Sequence, residues 1–236
     1  MAQADASDAL AGRSLPEALR EELSELNATI PVDEGGGASA LKVLVIADAI
    51  AANDLERVVE IGVYRGRLLL PLGLLMRRLG RGEAIGIDPY SATAAAQSDP
   101  HGRSIDLAAW AAGVDWNGIH EDVLMRIEAL GLDRHCRIVR KRSEEAAPDF
   151  SAASIDVLHV DGNHDRAAVE RDVALYLPKV RPGGFVVMDD AAWPSIRPVC
   201  ARLADEHQMV LQLYDGSGVL DGVGGNDFAI FQLTGG

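Results

Sequence analysis

The chain has 236 residues, 48% of them hydrophobic, with 22 basic and 36 acidic side chains and a net charge of −14. That length and apolar content suit one α/β domain with a sizeable core, whereas an acidic surface repels a phosphate backbone and argues against a nucleic-acid substrate. Cys136 and Cys200 lie far apart without metal-ligand spacing, so neither a disulfide framework nor a zinc site is expected.

Met1 to Arg13 lacks the basic start and apolar stretch of a signal peptide, and the longest apolar run, Leu68 to Met76, contains Pro71 and is too short to span a bilayer. A cytoplasmic protein without a membrane partner is expected. The first dozen residues read as a frayed tail, and Ser14-Leu-Pro-Glu17 has capping-box spacing that starts a helix running to about Asn27. Asp33-Glu34-Gly35-Gly36-Gly37 leaves the backbone too free for regular structure, and Ser39 to Ala52 then resumes helical spacing. Residues 1–37 are therefore expected to form a tail, a helix and a mobile lid loop, with the main domain at 38–236.

From Arg57 short apolar runs alternate with helical segments, the pattern of βα units and a doubly wound, mostly parallel sheet. The runs predict strands at Arg57–Ile61, Glu83–Ile87, Cys136–Arg140, Ile155–Val160 and Gly184–Met188. Helices are predicted at Arg67–Leu79, Ile119–Leu130, Asp165–Leu177 and Ser195–Glu206. Met209–Tyr214 and Phe228–Leu233 flank a Gly/Asp-rich turn and predict an antiparallel pair at the sheet edge.

Glu60-Ile-Gly62-Val-Tyr64-Arg-Gly66 puts an acidic side chain at the end of a buried strand, then glycines four apart where a ligand can approach the backbone. This is not the three-glycine dinucleotide fingerprint. An acid two places before the first glycine suits a cationic amino-acid end rather than a pyrophosphate, which favours S-adenosylmethionine over NAD. Asp88 follows the next strand, where a carboxylate accepts hydrogen bonds from ribose hydroxyls or caps the turn at Pro89. Ser143 and Glu144, past the third strand, can border an adenine ring.

Glu60 to Gly66, Ile87-Asp-Pro-Tyr90, Asp156-Val-Leu-His-Val-Asp-Gly-Asn-His164 and Val180-Arg-Pro-Gly-Gly184 through Met188-Asp-Asp190 resemble segments of class I S-adenosylmethionine-dependent methyltransferases. The likeness extends to the metal-dependent small-molecule O-methyltransferases of the macrocin/novobiocin sugar type and the catechol type, and covers roughly Ala38 to Leu233. It implies a Rossmann-like seven-stranded sheet in the order 3-2-1-4-5-7-6, with cofactor at the carboxyl ends of the first three strands. Glu60, Gly62, Tyr64, Gly66, Asp88, Ser143, Glu144 and Asp161 are the expected cofactor-binding residues.

Asp161 ends the fourth strand and Asp189-Asp190 the fifth, so three carboxylates meet at one sheet edge. A hard divalent cation relieves such crowding, and in the resembling enzymes these positions hold one; Asp161, Asp189 and Asp190 are thus expected Mg²⁺ ligands, or else caps of the following turns. His164, three residues beyond Asp161, is a candidate base or a helix-start histidine, while His159 is expected to alternate away from the carboxylates as a structural core histidine. His101, His120, His135 and His207 are read as structural too. The long connection from Ser91 to Gly118, with Trp110 and Trp116, suits a substrate lid, although Trp110 can equally pack a short helix.

Three functions remain open at this stage. The first is Mg²⁺-assisted methylation of a hydroxyl on a small molecule (a natural-product sugar, a catechol or a polyketide phenol), with Asp161 and His164 catalytic. The second is metal-independent N- or carboxyl-methylation. The third is an S-adenosylmethionine-binding protein without chemistry. A homo-oligomer is compatible with any of them.

Overall fold

The computed structural model describes residues 15–33, 35–98, 106–213 and 227–234. Ser14 of the expected capping box, the tail before it, His101, Tyr214 and most of the Gly/Asp-rich turn lie outside the described residues. Helix α1 (Glu17–Thr29) starts after Pro16, which offers no side-chain cap. Helix α2 (Ala40–Ala52) is capped by Ser39, whose Oγ accepts from Lys42 N at 3.1 Å.

The βα series then follows as β1 (Arg57–Ile61), α3 (Leu69–Leu79), β2 (Glu83–Ile87), short helices α4 (Ala92–Ala95) and α5 (Leu107–Gly113), α6 (Trp116–Ala129), β3 (Cys136–Val139) and one-turn α7 (Ser143–Ala146). The second half continues with β4 (Ile155–Val160), α8 (Arg166–Tyr176), β5 (Val180–Asp189), α9 (Arg197–Glu206), β6 (Gln208–Leu213) and β7 (Phe228–Gln232). The strands form one sheet in the order β3-β2-β1-β4-β5-β7-β6. Pairings from β3 through β5 are parallel, and β7 lies antiparallel between β5 and β6.

Several boundaries differ from the sequence reading by a residue or more, and three have clear local reasons. Helix α3 begins two residues later than expected because Arg67 is turned aside, its guanidinium donating to Ala38 O, Ile30 O and Asn27 Oδ1. Helix α6 begins at Trp116 because Asp115 caps it, accepting from Gly118 N at 3.0 Å. Strand β5 takes in Arg181-Pro182-Gly183, and its pairing with β4 shifts register between Ile155 and Val157.

Strand alternation divides the core. Val58, Val157, Phe185, Val187, Phe228 and Ile230 face one side, against Leu23, Ile46, Ile50 and Leu69 of α1 to α3. Val59, Ile61, Leu158, Val186 and Phe231 face the other, against Val169, Val173 and Leu203 of α8 and α9. The period of two therefore also decides which polar strand residues share a face.

Candidate active site

A cleft of about 780 Å³ opens above the carboxyl ends of β1, β2, β4 and β5, where an open parallel sheet binds ligands. Two strand ends meet closely at its floor. Gly62 has φ +86°, and a Cβ built there would lie 2.0 Å from Asp161 O, so only glycine lets β1 and β4 approach this nearly. Gly62 N donates to Ile87 O and Asp161 N to Ile61 O, each at 2.9 Å. Tyr64, Tyr90 and Asp190, just past β1, β2 and β5, take φ of +49°, +48° and +47°, a cost that marks chain bent to serve a site.

Glu60, Gly62, Tyr64, Asp88, Ser143, Glu144, Asp161, His164, Asp189 and Asp190 all line this cleft. Gly66 does not. Its φ is +78°, and a Cβ there would meet Leu70 at 3.1 Å, so it serves the entry into α3 rather than a ligand's approach, correcting its assignment as a cofactor contact. Asp88 Oδ2 accepts from Val63 N and Tyr64 N, both at 3.0 Å, and Oδ1 accepts from Tyr90 N at 2.7 Å. The capping role expected of it is present: it clamps two turns, with acceptor capacity left on Oδ1. Burial, only partly offset by these donors, raises its pKa. Ser143 Oγ donates to buried Asp172 of α8, whose pKa burial pushes up to about 6 despite that bond.

The face of the sheet toward α2 holds a charged row. Glu60 of β1 pairs in register with His159 of β4, and Asp189 ends β5 beside them. His159 Nδ1 lies 3.2 Å from Glu60 Oε1 and its Nε2 3.4 Å from Asp189 Oδ2. The expectation that His159 turns away from the carboxylates is therefore wrong, because 159 and 161 share parity along the strand. It is fully buried; burial opposes its charge, but Asp189 and Glu60 outweigh burial and raise its pKa to about 10. Glu60 Oε2 is buried and has no hydrogen-bond partner among the described residues, and burial raises this carboxyl.

Sequence reasoning missed Lys42. It lies on the apolar stripe of α2 with Val43, Ile46 and Ile50, is 1% exposed, and its Nζ donates to both oxygens of Asp189. Burial disfavours the ammonium, yet Asp189 and Asp161 outweigh that and raise its pKa. Asp189 correspondingly sits well below the ordinary carboxylate range, Lys42 and His159 overcoming its burial. Lys42 engages both oxygens of Asp189, and Asp189 belongs to neither group of described residues whose ligand atoms converge; Asp161 and Asp190 converge with His164 instead.

At the cleft mouth, His164 Nε2 lies 3.4 Å from Asp161 Oδ1 and 3.2 Å from Asp190 Oδ2. Asp161, His164 and Asp190 can bring ligand atoms within 4.8 Å of one another, as can Glu60, His159 and Asp161. Burial opposes the imidazolium, but Asp190 and Asp161 prevail and raise the His164 pKa. Burial first, and then the charge of Asp189, push Asp161 up to about 7. Asp227 holds the turn after Asp190, its two oxygens accepting from Ala192 N at 3.0 and 2.9 Å.

Aromatic rings wall the cleft. Tyr64, Trp110 and Trp116 form a triangle with centroids 5.6 to 5.8 Å apart, and Trp193 packs on His164 at 4.8 Å. Trp110 packs on the rings of Tyr64 and Trp116 and lines the cleft. At the start of the glycine loop, Asp33 accepts from Tyr64 Oη at 2.8 and 2.7 Å and from Arg65 at 2.9 and 2.7 Å.

A family profile described as a methyltransferase domain matches residues 59–191. The uncharacterized protein y4gI of Sinorhizobium fredii is 34% identical over 94 residues, which is 36% of this chain, and the match spans 10% of that relative's length. The O-methyltransferase NovP superposes with a TM-score of 0.65 at 17% identity, covering 93% of this chain and 98% of NovP. The O-methyltransferase TomG from Streptomyces achromogenes, involved in tomaymycin synthesis and solved with SAM, superposes with a TM-score of 0.57 at 15% identity over 92% and 99% of the two chains. Among the described residues, no helix is long and apolar enough to cross a membrane.

Proposed function

The chain belongs to the methyltransferase-domain family, and from that premise we propose that it moves the methyl group of S-adenosylmethionine onto a hydroxyl oxygen of a small molecule. The observation that carries the oxygen specificity is His164, an imidazole at the cleft mouth between two carboxylates that raise its basicity. A hydroxyl must lose a proton as it is methylated, and an imidazole of raised pKa is suited to take it.

S-adenosylmethionine supplies an electrophilic methyl group on a sulfonium. The chain's own residues do the rest. Glu60 offers its unpartnered Oε2 to the cofactor's ammonium, and Asp88 offers the open side of Oδ1 to the ribose. Ser143 and Glu144 border the adenine, and Gly62 and Tyr64 shape the turn against which the amino-acid end lies. Asp161 and Asp190 hold the Nε2 side of His164, so the other ring nitrogen, Nδ1, is the one that receives the acceptor's proton, and the imidazolium formed is paired through Nε2 with both carboxylates. Trp193 gives the acceptor a flat apolar wall. In-line transfer needs this positioning more than covalent help. Asp189 is held by Lys42 and stands outside the groups of described residues whose ligand atoms converge, which supports transfer by the chain's own residues.

A natural-product sugar, a catechol or a polyketide phenol is the proposed acceptor, supported by the O-methyltransferases NovP and TomG that share the fold. The experiment is a calorimetric titration with S-adenosylmethionine. Wild type binds, and Asp88→Ala binds about 10- to 100-fold more weakly, the loss of a hydrogen bond to a charged acceptor plus a loosened turn. A folded wild type that takes up no cofactor contradicts the proposal. Cofactor uptake without transfer to any hydroxylated acceptor favours a binding protein instead.

A further inference from the structure

Lys42 stands in a place that helix formation does not explain. It occupies the first turn of α2, where the helix dipole disfavours a cation, and it is 1% exposed, where desolvation disfavours one further. Both penalties are met at a single point: its Nζ donates to both oxygens of Asp189 and lies 5.5 Å from the centroid of the Phe228 ring. Glu60, His159, Asp161, Asp189, Asp190 and Asp227 are ionisable groups around this point, with His164 beyond them facing Asp161 and Asp190. Five are carboxylates, and the resemblance to metal-dependent enzymes leads one to expect a divalent ion among them.

We propose that Lys42 is a tethered cation that takes the place of a divalent metal at Asp189, positioning the Glu60–His159–Asp189 row so that methyl transfer proceeds without an added metal. The ammonium pairs with Asp189 from the α2 side, and His159 links the same carboxylate to Glu60. Two protein cations, Lys42 and His159, thus stand against Asp189, whose Oδ1 also accepts from Asp190 N, and Asp189 belongs to neither group of described residues whose ligand atoms converge. A lysine fixed by its own helix needs no free ion to hold these strand ends in register. Lys42 is a positioning residue, since it acts through Asp189. The part of this inference that concerns transfer rests on the reading of the site as an O-methyltransferase; the part that concerns the ion does not.

Mn²⁺ titration followed by electron paramagnetic resonance tests it on the full chain, alongside transfer assays in EDTA. In the wild-type background, Asp189→Asn should leave Mn²⁺ affinity unchanged, because Asp189 is not a ligand. Lys42→Ala should uncover Asp189 and create a Mn²⁺ site at least about 10-fold tighter than any in wild type, and Asp189→Asn in that background should remove it. Mn²⁺ should also raise the melting temperature of Lys42→Ala and not that of wild type. Wild-type transfer should continue at full rate in EDTA. If Lys42→Ala does not fold, the wild-type pair still decides: a fall in Mn²⁺ affinity of about 10-fold on Asp189→Asn overturns the proposal, as does loss of transfer in EDTA that Mn²⁺ or Mg²⁺ restores. Mn²⁺ behaviour as expected with no acceptor methylated would retire the functional reading and leave the role of Lys42 at Asp189 standing.

Discussion

Gly62→Ala probes the floor of the cleft with a single methyl group. An added Cβ would lie 2.0 Å from Asp161 O, 2.5 Å from Asp161 C and 2.8 Å from Gly162 Cα, all backbone atoms that no rotamer change can move. Relief requires β1 and β4 to part by about 1 Å at their ends, weakening the Gly62 N to Ile87 O and Asp161 N to Ile61 O hydrogen bonds at about 1 kcal/mol each. The φ of +86° adds about 1–2 kcal/mol for any residue with a Cβ. The total is about 3–4 kcal/mol, which lowers the melting temperature of a chain this size by roughly 6–16 °C. Gly80→Ala is the control: φ there is +69°, but nothing lies within 4 Å of its Cβ, so only about 1 kcal/mol is expected. Thermal melts of the two variants, each paired with a cofactor titration, separate backbone strain from the clash. Gly62→Ala should lose cofactor affinity by about 10-fold or more, while Gly80→Ala keeps it. Equal melting temperatures with unchanged affinities in both would refute the idea that the cleft depends on the close approach of β1 and β4.

Further expectations concern proton-binding groups. The Asp172 carboxyl has a folded pKa of about 6 against 3.8 in a free chain, so folding favours its protonated form and stability falls as pH rises from about 4 through 6. Asp172→Asn, which still accepts from Ser143 Oγ, should therefore melt higher than wild type at pH 8, by up to about 3 kcal/mol, and converge with it near pH 4; parallel melting curves across that range would exclude the assignment. His164→Ala should depress turnover by about 100-fold or more while leaving cofactor affinity within about twofold; an equal loss in both would make His164 a binding residue. Because His164 must be neutral to accept a proton and its pKa is raised, the rate should climb with pH through a limb above the ordinary histidine value. Asp190→Asn removes one source of that rise and should move the limb to lower pH, and a limb that stays in place or moves upward would contradict the pairing.

Much of this site was legible because function gathers at strand ends and strand ends are readable. Glu60, Asp88, Asp161, Asp189 and Asp190 each close an apolar run, and a parallel sheet brings such positions to one edge. His159 was misplaced although its parity with Asp161 was available; what hid it was the bland character of a histidine inside a strand. Lys42 left a clear trace, a lysine on the apolar stripe of α2, but helical periodicity does not say which strand end a helix covers. Its partner lies 147 residues away, and no local pattern shows that Asp189 is paired with it. Gly66 shows the opposite failure. Motif spacing suggested a ligand contact, whereas its φ and its neighbour Leu70 show a glycine required by the chain itself. The ring triangle of Tyr64, Trp110 and Trp116 depends on α5 and α6 folding back over β1, which no local pattern encodes.

The central claim, transfer of a methyl group to oxygen, is tested most directly by incubating the purified chain with S-adenosylmethionine carrying a deuterated methyl group and a panel of sugar, catechol and phenol acceptors. Mass spectrometry and nuclear magnetic resonance then locate the label. The account predicts stoichiometric formation of S-adenosylhomocysteine and of a product with the intact deuterated methyl on a former hydroxyl oxygen, sharply reduced in His164→Ala. Label found on nitrogen or a carboxylate, or transfer to oxygen that His164→Ala leaves at full rate, would contradict it.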